Sequence, residues 1–140
     1  MSTRSYIGVK NNKGISYIYC HFDGYLEGVG RILKENYNDE EKIAKLIMGG
    51  NISNLGSSPE EDMEGWDLKN LINETIEEIT PKKTLYYKTR GDKDAEAKLI
   101  PSKEEYINET INDVDFVYLC EDGTWKVYDA DFGKFMKYEV

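Results

Sequence analysis

The period of apolar and polar positions changes repeatedly along the first fifty residues. From Thr3 to Lys10 the β-forming residues Tyr6, Ile7 and Val9 predict a strand. Asn11-Asn12-Lys13-Gly14 predicts a tight turn, because Asn and Gly tolerate positive φ. The return strand alternates: Ile15, Tyr17, Tyr19 and His21 share one face, and Ser16, Ile18, Cys20 and Phe22 the other. A helical period then runs from about Val29 to Tyr37 through Ile32 and Leu33. Asn38 is the expected N-cap of a second helix, with Asp39, Glu40 and Glu41 at its positive end and Ile43, Leu46 and Ile47 as its apolar stripe. Gly49-Gly50 closes it.

Farther on, residues 51–59 read as irregular, anchored by Ile52 and Leu55. Asp67 caps an expected helix reaching about Ile79, and Leu85-Tyr86-Tyr87 reads as a strand. Residues 90–97 read as a charged loop or an exposed helical turn. Ser102 with Glu105 forms a capping box for a short helix ending near Ile111. Asp115–Cys120 and Trp125–Tyr128 predict a hairpin around Glu121-Asp122-Gly123-Thr124, and residues 133–140 a last edge strand. The expectation is one α+β domain over residues 1–140. Its antiparallel sheet, built from N- and C-terminal hairpins, is covered on one face by three to four helices, with an acidic insert at about 57–100.

Charge is unevenly placed. Residues 1–56 carry seven basic and six acidic side chains (+1), residues 57–80 one basic and eight acidic (−7), and residues 81–140 ten basic and thirteen acidic (−3). Glu60, Glu61, Asp62 and Glu64 open the acidic stretch. Such a surface repels nucleic acid and membranes, and it either attracts a basic protein partner or serves as a solvated face that keeps the protein in solution. Cys20 and Cys120 sit in apolar strand-like runs, and one His with two Cys is not a zinc set of the usual kind. Neither a metal nor a cofactor is expected. With no leader-like apolar core near Met1, the thiols read as reduced and the protein as cytoplasmic.

The chemistry-bearing residues concentrate between Tyr19 and Arg31. His21 ends a strand, Asp23 and Tyr25 follow, and Gly28 and Gly30 flank a helix start with Arg31 in its first turn. Free amides at a helix start, glycines that admit close approach, and Arg31 with Arg4 from the neighbouring strand suit a phosphate or nucleotide. Against this stands an ordinary structural turn, since no Walker or dinucleotide-binding fingerprint is present. His21 with Asp23 is a candidate acid–base pair for a hydrolase. Cys20 faces away from His21 on the strand and is poorly placed as its nucleophile.

Three stretches carry a resemblance: Thr3-Arg-Ser-Tyr-Ile-Gly, Tyr19-Cys-His-Phe-Asp-Gly-Tyr with Gly28-Val-Gly-Arg-Ile-Leu, and Gly50-Asn-Ile-Ser-Asn-Leu-Gly. Together with Lys42–Gly49 they resemble a family of small proteins of phages and related mobile elements. The likeness covers about residues 3–56 and, more loosely, the terminal hairpin; residues 57–100 match least. It implies an accessory product of a virus infecting bacteria, acting in the host cytoplasm. The leading reading is a protein that inhibits a host defence system by non-catalytic binding, its acidic surface meeting a nucleic-acid-binding host protein. The alternatives are a sponge for a nucleotide immune signal at the His21–Arg31 loop and a small hydrolase using His21 and Asp23.

Overall fold

The computed structural model describes residues 3–61, 83–129 and 134–137. In chain order, β1 (Ser5–Asn11) turns into β2 (Gly14–Cys20). A five-residue π-helical turn, Leu26–Gly30, leads into α1 (Arg31–Asn36), and α2 (Glu40–Met48) follows. Three short strands come next, β3 (Ile52–Asn54), β4 (Ser58–Glu61) and β5 (Lys83–Tyr86), then one helical turn, α3 (Tyr87–Arg90). β6 (Lys98–Ile100), α4 (Lys103–Thr110), β7 (Phe116–Glu121), β8 (Thr124–Asp129) and β9 (Lys134–Lys137) complete it.

The strands lie in the order β4-β5-β3-β2-β1-β7-β8-β9, with β6 also paired to β2. Both hairpins expected from the turn residues are present. Asp122 and Gly123 both take positive φ, 53° and 76°, as a two-residue hairpin turn requires. The sheet is mostly antiparallel, but the two hairpins join through a parallel pairing of β1 with β7, with Ile7 opposite Tyr118.

One expectation needs correction: helices cover both faces of the sheet. Ile7 and Val9 of β1, Ile18 and Cys20 of β2, and Tyr118 and Cys120 of β7 point to one side, where Leu33 of α1 and Ile43, Leu46 and Ile47 of α2 close the larger core. Alternate residues, Ile15 and Tyr17 of β2 with Val117 and Leu119 of β7, point to the other side and meet Tyr106 of α4. The cause is in the sequence: these strands are apolar or aromatic at successive positions, so neither face can be left wet.

Local expectations differ in smaller ways. The second helix is capped by Asp39, whose side chain accepts the Glu41 N–H at 3.1 Å, rather than by Asn38. Ser102 caps α4 as its capping-box position requires, its hydroxyl accepting the Glu105 N–H at 3.2 Å. The stretch 51–59, expected to be irregular, contributes β3 and the start of β4, and Lys98–Ile100 is a strand within what read as insert. All three are strands of three or four residues, too short to show a period. The helix expected over 67–79 lies outside the described residues.

Tyr106 bridges α4 to the sheet. Its hydroxyl donates to the Tyr118 carbonyl at 2.8 Å and lies directly over Gly8, where a Cβ would come within 2.8 Å of it. Glycine at position 8 is thus a packing requirement. At one end of this face the Glu121 carboxylate, 9% exposed, takes Lys126 at 2.7 Å, Lys10 at 3.0 Å and Lys103 at 3.1 Å, tying β8, β1 and α4 to β7. Hydrogen bonds from Lys126, then Lys10 and Lys103, hold its pKa down from 4.5 to about 2.

Two outcomes follow. Gly8→Ala is expected to destabilise the fold by about 1–3 kcal/mol in urea denaturation, the usual range for an overpacked site; unchanged stability would remove the packing role. Because the folded-state pKa of Glu121 is depressed, its contribution is present above about 4.5 and lost as pH falls toward about 2. Urea midpoints of the parent and Glu121→Gln are therefore expected to differ near neutral pH and to converge through that window.

Candidate functional site

Arg31 and Arg4, paired in the expected anion site, are held in different surroundings. Arg31 points from α1 into solvent and pairs with Glu27 one turn earlier, at 2.7 Å. Gly28 and Gly30 belong to the π-helical turn, whose amides are already engaged. Val29 N–H donates to the Asp23 carbonyl at 2.8 Å, and Gly28 and Gly30 N–H to the Tyr25 carbonyl at 3.0 and 3.4 Å. Arg31 N–H donates to the Gly28 and Leu26 carbonyls. A Cβ on Gly28 would run into the Asp23 carbonyl oxygen, so this glycine serves the loop's own closure. Asp23 sits at φ 58° and Tyr25 is exposed. Gly24 N–H donates to the Thr3 carbonyl at 2.8 Å, and the buried Tyr118 hydroxyl donates to the Gly24 carbonyl at 2.8 Å. Glycines and carbonyls here build a rigid turn.

Arg4 and His21 instead adjoin a row of aromatic rings on the face that α4 only partly covers. Tyr6 and Tyr19 are cross-strand partners, with ring centroids 5.5 Å apart. Tyr17 lies 5.5 Å from Tyr6 on one side and 5.1 Å from Tyr106 on the other. His21 continues the row: its Nδ1 is 2.8 Å from the Tyr19 hydroxyl and its ring packs edge-on against Phe22 at 4.5 Å. Along Tyr6, Tyr17 and Tyr19 runs a cleft of about 480 Å³, within the roughly 300–1,000 Å³ common to small-molecule sites. Arg4 enters it from the start of β1, Lys98 from β6 opposite Tyr17, Asn51 from the start of β3, and Asn112 and Asp113 from beyond α4.

The electrostatics of the cleft depart from those of the chain. Two cations, Arg4 and Lys98, face one carboxylate, Asp113, in a protein of net charge −9. Burial pushes the Tyr19 phenol up to about 12, with Arg4 pulling the other way. Tyr6 is raised by burial, then by Asp113 and Tyr17, and Tyr17 by burial, then by Glu109 of α4. All three phenols therefore stay protonated at neutral pH and keep an O–H. Asn51 is held firmly: its Oδ1 accepts Tyr19 N–H at 2.9 Å and its own N–H donates to the Ala95 carbonyl at 2.7 Å.

On the opposite face Cys20 is fully buried, its thiol raised by that burial to about 12 and donating to the Phe22 carbonyl at 3.4 Å. Cys120 is also a free, buried thiol, four residues along the sheet from Cys20 by register. Among the described residues no group of His, Cys, Asp and Glu is placed to hold a metal ion, and no helix is long and apolar enough to cross a membrane. Of the acidic partner-binding residues, Glu60 is exposed on β4 and Glu61 ends that strand, while Asp62 and Glu64 lie outside the described residues.

Reasoning from the sequence named Arg4 and His21 for a site at the glycine turn and did not reach Tyr6, Asn51, Lys98, Asn112 or Asp113 as a set. The available signal was the alternation that put Tyr17, Tyr19 and His21 on one strand face. Comparison with family models, with curated proteins and with solved structures gives no match.

The turn's closure is testable apart from any ligand. Gly28→Ala is expected to lower stability by more than about 1 kcal/mol, as overpacking does. Arg31→Ala is expected to stay within about 0.5 kcal/mol, as loss of an exposed ion pair does. Thermal and urea unfolding of both variants is the measurement, and a fully stable Gly28→Ala would reopen the turn as a ligand approach.

Proposed function

We propose that this chain is a non-catalytic binding protein that captures a nucleotide, an aromatic base carrying phosphate, in the tyrosine-lined cleft. The observation that carries the reading is the local reversal of charge: an acidic chain sets Arg4 and Lys98 beside three protonated tyrosines. A base finds aromatic surface worth about 1–3 kcal/mol in stacking. Phosphate finds a guanidinium able to donate in parallel and an ammonium across the strand. Phenolic O–H groups supply neutral donors beside them. With the resemblance to phage accessory proteins, this favours sequestration of a host nucleotide signal over hydrolysis, at the tyrosine face instead of the glycine turn.

A second reading, docking of an acidic surface on a basic host protein, draws on the exposure of Glu60 on β4, the outermost strand of its side of the sheet. The two readings separate cleanly, because Glu60, the exposed residue on which the second reading draws, does not line the cleft.

The test is a thermal-shift and calorimetric screen with mononucleotides, cyclic dinucleotides and ADP-ribose. A captured nucleotide at a hundred times its dissociation constant is expected to stabilise the fold by about 2.7 kcal/mol, to be recovered unaltered, and to lose affinity at least tenfold in Arg4→Ala and in Tyr19→Ala. The combined change Glu60→Gln, Glu61→Gln, Asp62→Asn and Glu64→Gln is expected to leave nucleotide capture intact. If no nucleotide binds, and this acidic-segment variant alone abolishes salt-sensitive binding to a basic host protein, the second reading replaces the first.

A further inference from the structure

Arg4 and Lys98 stand at opposite ends of the aromatic row. Lys98 on β6 lies directly opposite Tyr17, and Tyr17 directly opposite Gly8 on β1. Arg4 lies four residues before Gly8, on the face that Tyr6 shares, and its carbonyl accepts the Asp115 N–H at 3.1 Å. Strand geometry therefore separates the two Cα positions by roughly 13 Å along the strands and roughly 10 Å across them. Tyr6, Tyr17 and Tyr19 fill the interval, with the Tyr6 ring 5.5 Å from each of the other two.

Neither cation is committed within the protein. Lys10, Lys103 and Lys126 share Glu121, and Arg31 takes Glu27, whereas among the described residues Arg4 and Lys98 make no ion pair. The carboxylates beside the row act on its phenols, Asp113 on Tyr6 and Glu109 on Tyr17. Screening over about 8 Å at physiological salt keeps the pull of each cation local. An anion held at one end of the row therefore leaves the cation at the other end unneutralised. The two phosphates of a 5′-diphosphate share a bridging oxygen and crowd at one end. Phosphates on the 3′ and 5′ positions are held apart by the ribose, and the base projects from between them.

Resting on the nucleotide reading, we propose that the cleft selects nucleotides whose two phosphates are separated by the sugar, one held by Arg4 and the other by Lys98 with the base on the tyrosines between, over nucleotides whose phosphates are contiguous.

The test is calorimetry of the full chain with three forms each of adenosine and guanosine: the 5′-monophosphate, the 5′-diphosphate and the 3′,5′-bisphosphate. The last two carry the same number of phosphates and differ in where they are attached. The 3′,5′-bisphosphate is expected to bind at least tenfold more tightly than the 5′-diphosphate. Lys98 is exposed, and Lys98→Ala is expected to abolish that preference, whereas Lys98→Arg, which keeps the charge, is expected to retain it. Equal or tighter binding of the 5′-diphosphate in the parent would overturn this inference and leave nucleotide capture standing. A preference that survives Lys98→Ala would overturn the role of Lys98. Failure of every one of these nucleotides to bind, with the parent folded, would overturn both readings together.

Discussion

The parallel pairing of β1 with β7 is the constraint on which the remaining structure depends. Each hairpin alone is a two-stranded ribbon, marginal in water. Their junction turns two ribbons into a sheet with two faces to cover. Its register is strict because Ile7 sits opposite Tyr118 and Val9 opposite Cys120, so a slip by one residue would exchange the contents of the two cores. The same register brings Glu121 to the end of β1, where Lys10 reaches it, and carries the Tyr118 hydroxyl beneath the Asp23–Gly24 turn. A parallel pair needs a long crossover, and the intervening helices and short strands are that crossover.

Buried tyrosines extend this control from the sheet to its loops. Tyr118 donates to Gly24, Tyr37 to Gly56, Tyr86 to Pro59 and Tyr106 to Tyr118, each time to a backbone carbonyl. Trp125 does the same through its indole N–H, to the Tyr37 carbonyl at 2.8 Å. Carbonyls buried outside the regular ladder need donors, and a phenol supplies one while filling the core with its ring. Tyr6 and Tyr19 differ from these: they keep only partial cover and face the cleft. One residue type thus serves as internal fastener on one set of strand positions and as exposed wall on another.

Sequence was most informative where a signal is local. The turns at Asn11-Asn12-Lys13-Gly14 and Asp122-Gly123, the Ser102 capping box and the Gly49-Gly50 stop all mark elements near where they occur. It misled where the deciding contact is distant. Nothing local distinguishes Lys98–Ile100 from loop, since its strand character comes from pairing with Ile15–Tyr17. Gly28 and Gly30 looked like ligand approaches because glycine signals closeness without naming the neighbour, and the neighbours here are carbonyls of the same turn. The tyrosine cleft gathers positions 4, 17, 51, 98 and 113, which meet only after the crossover is complete.

Charge placement follows the same logic. Over the whole chain acidity argues against a phosphate-bearing ligand, and as a statement about long-range attraction that holds: a polyanion approaching from a distance is repelled. At contact range the balance is set by the nearest groups, because screening confines exposed charges to about 8 Å at physiological salt. Arg4 and Lys98 therefore govern the cleft while the distant carboxylates govern approach. On the proposed reading a small nucleotide need only fit the cleft, whereas long nucleic acid must lie across much of the acidic surface.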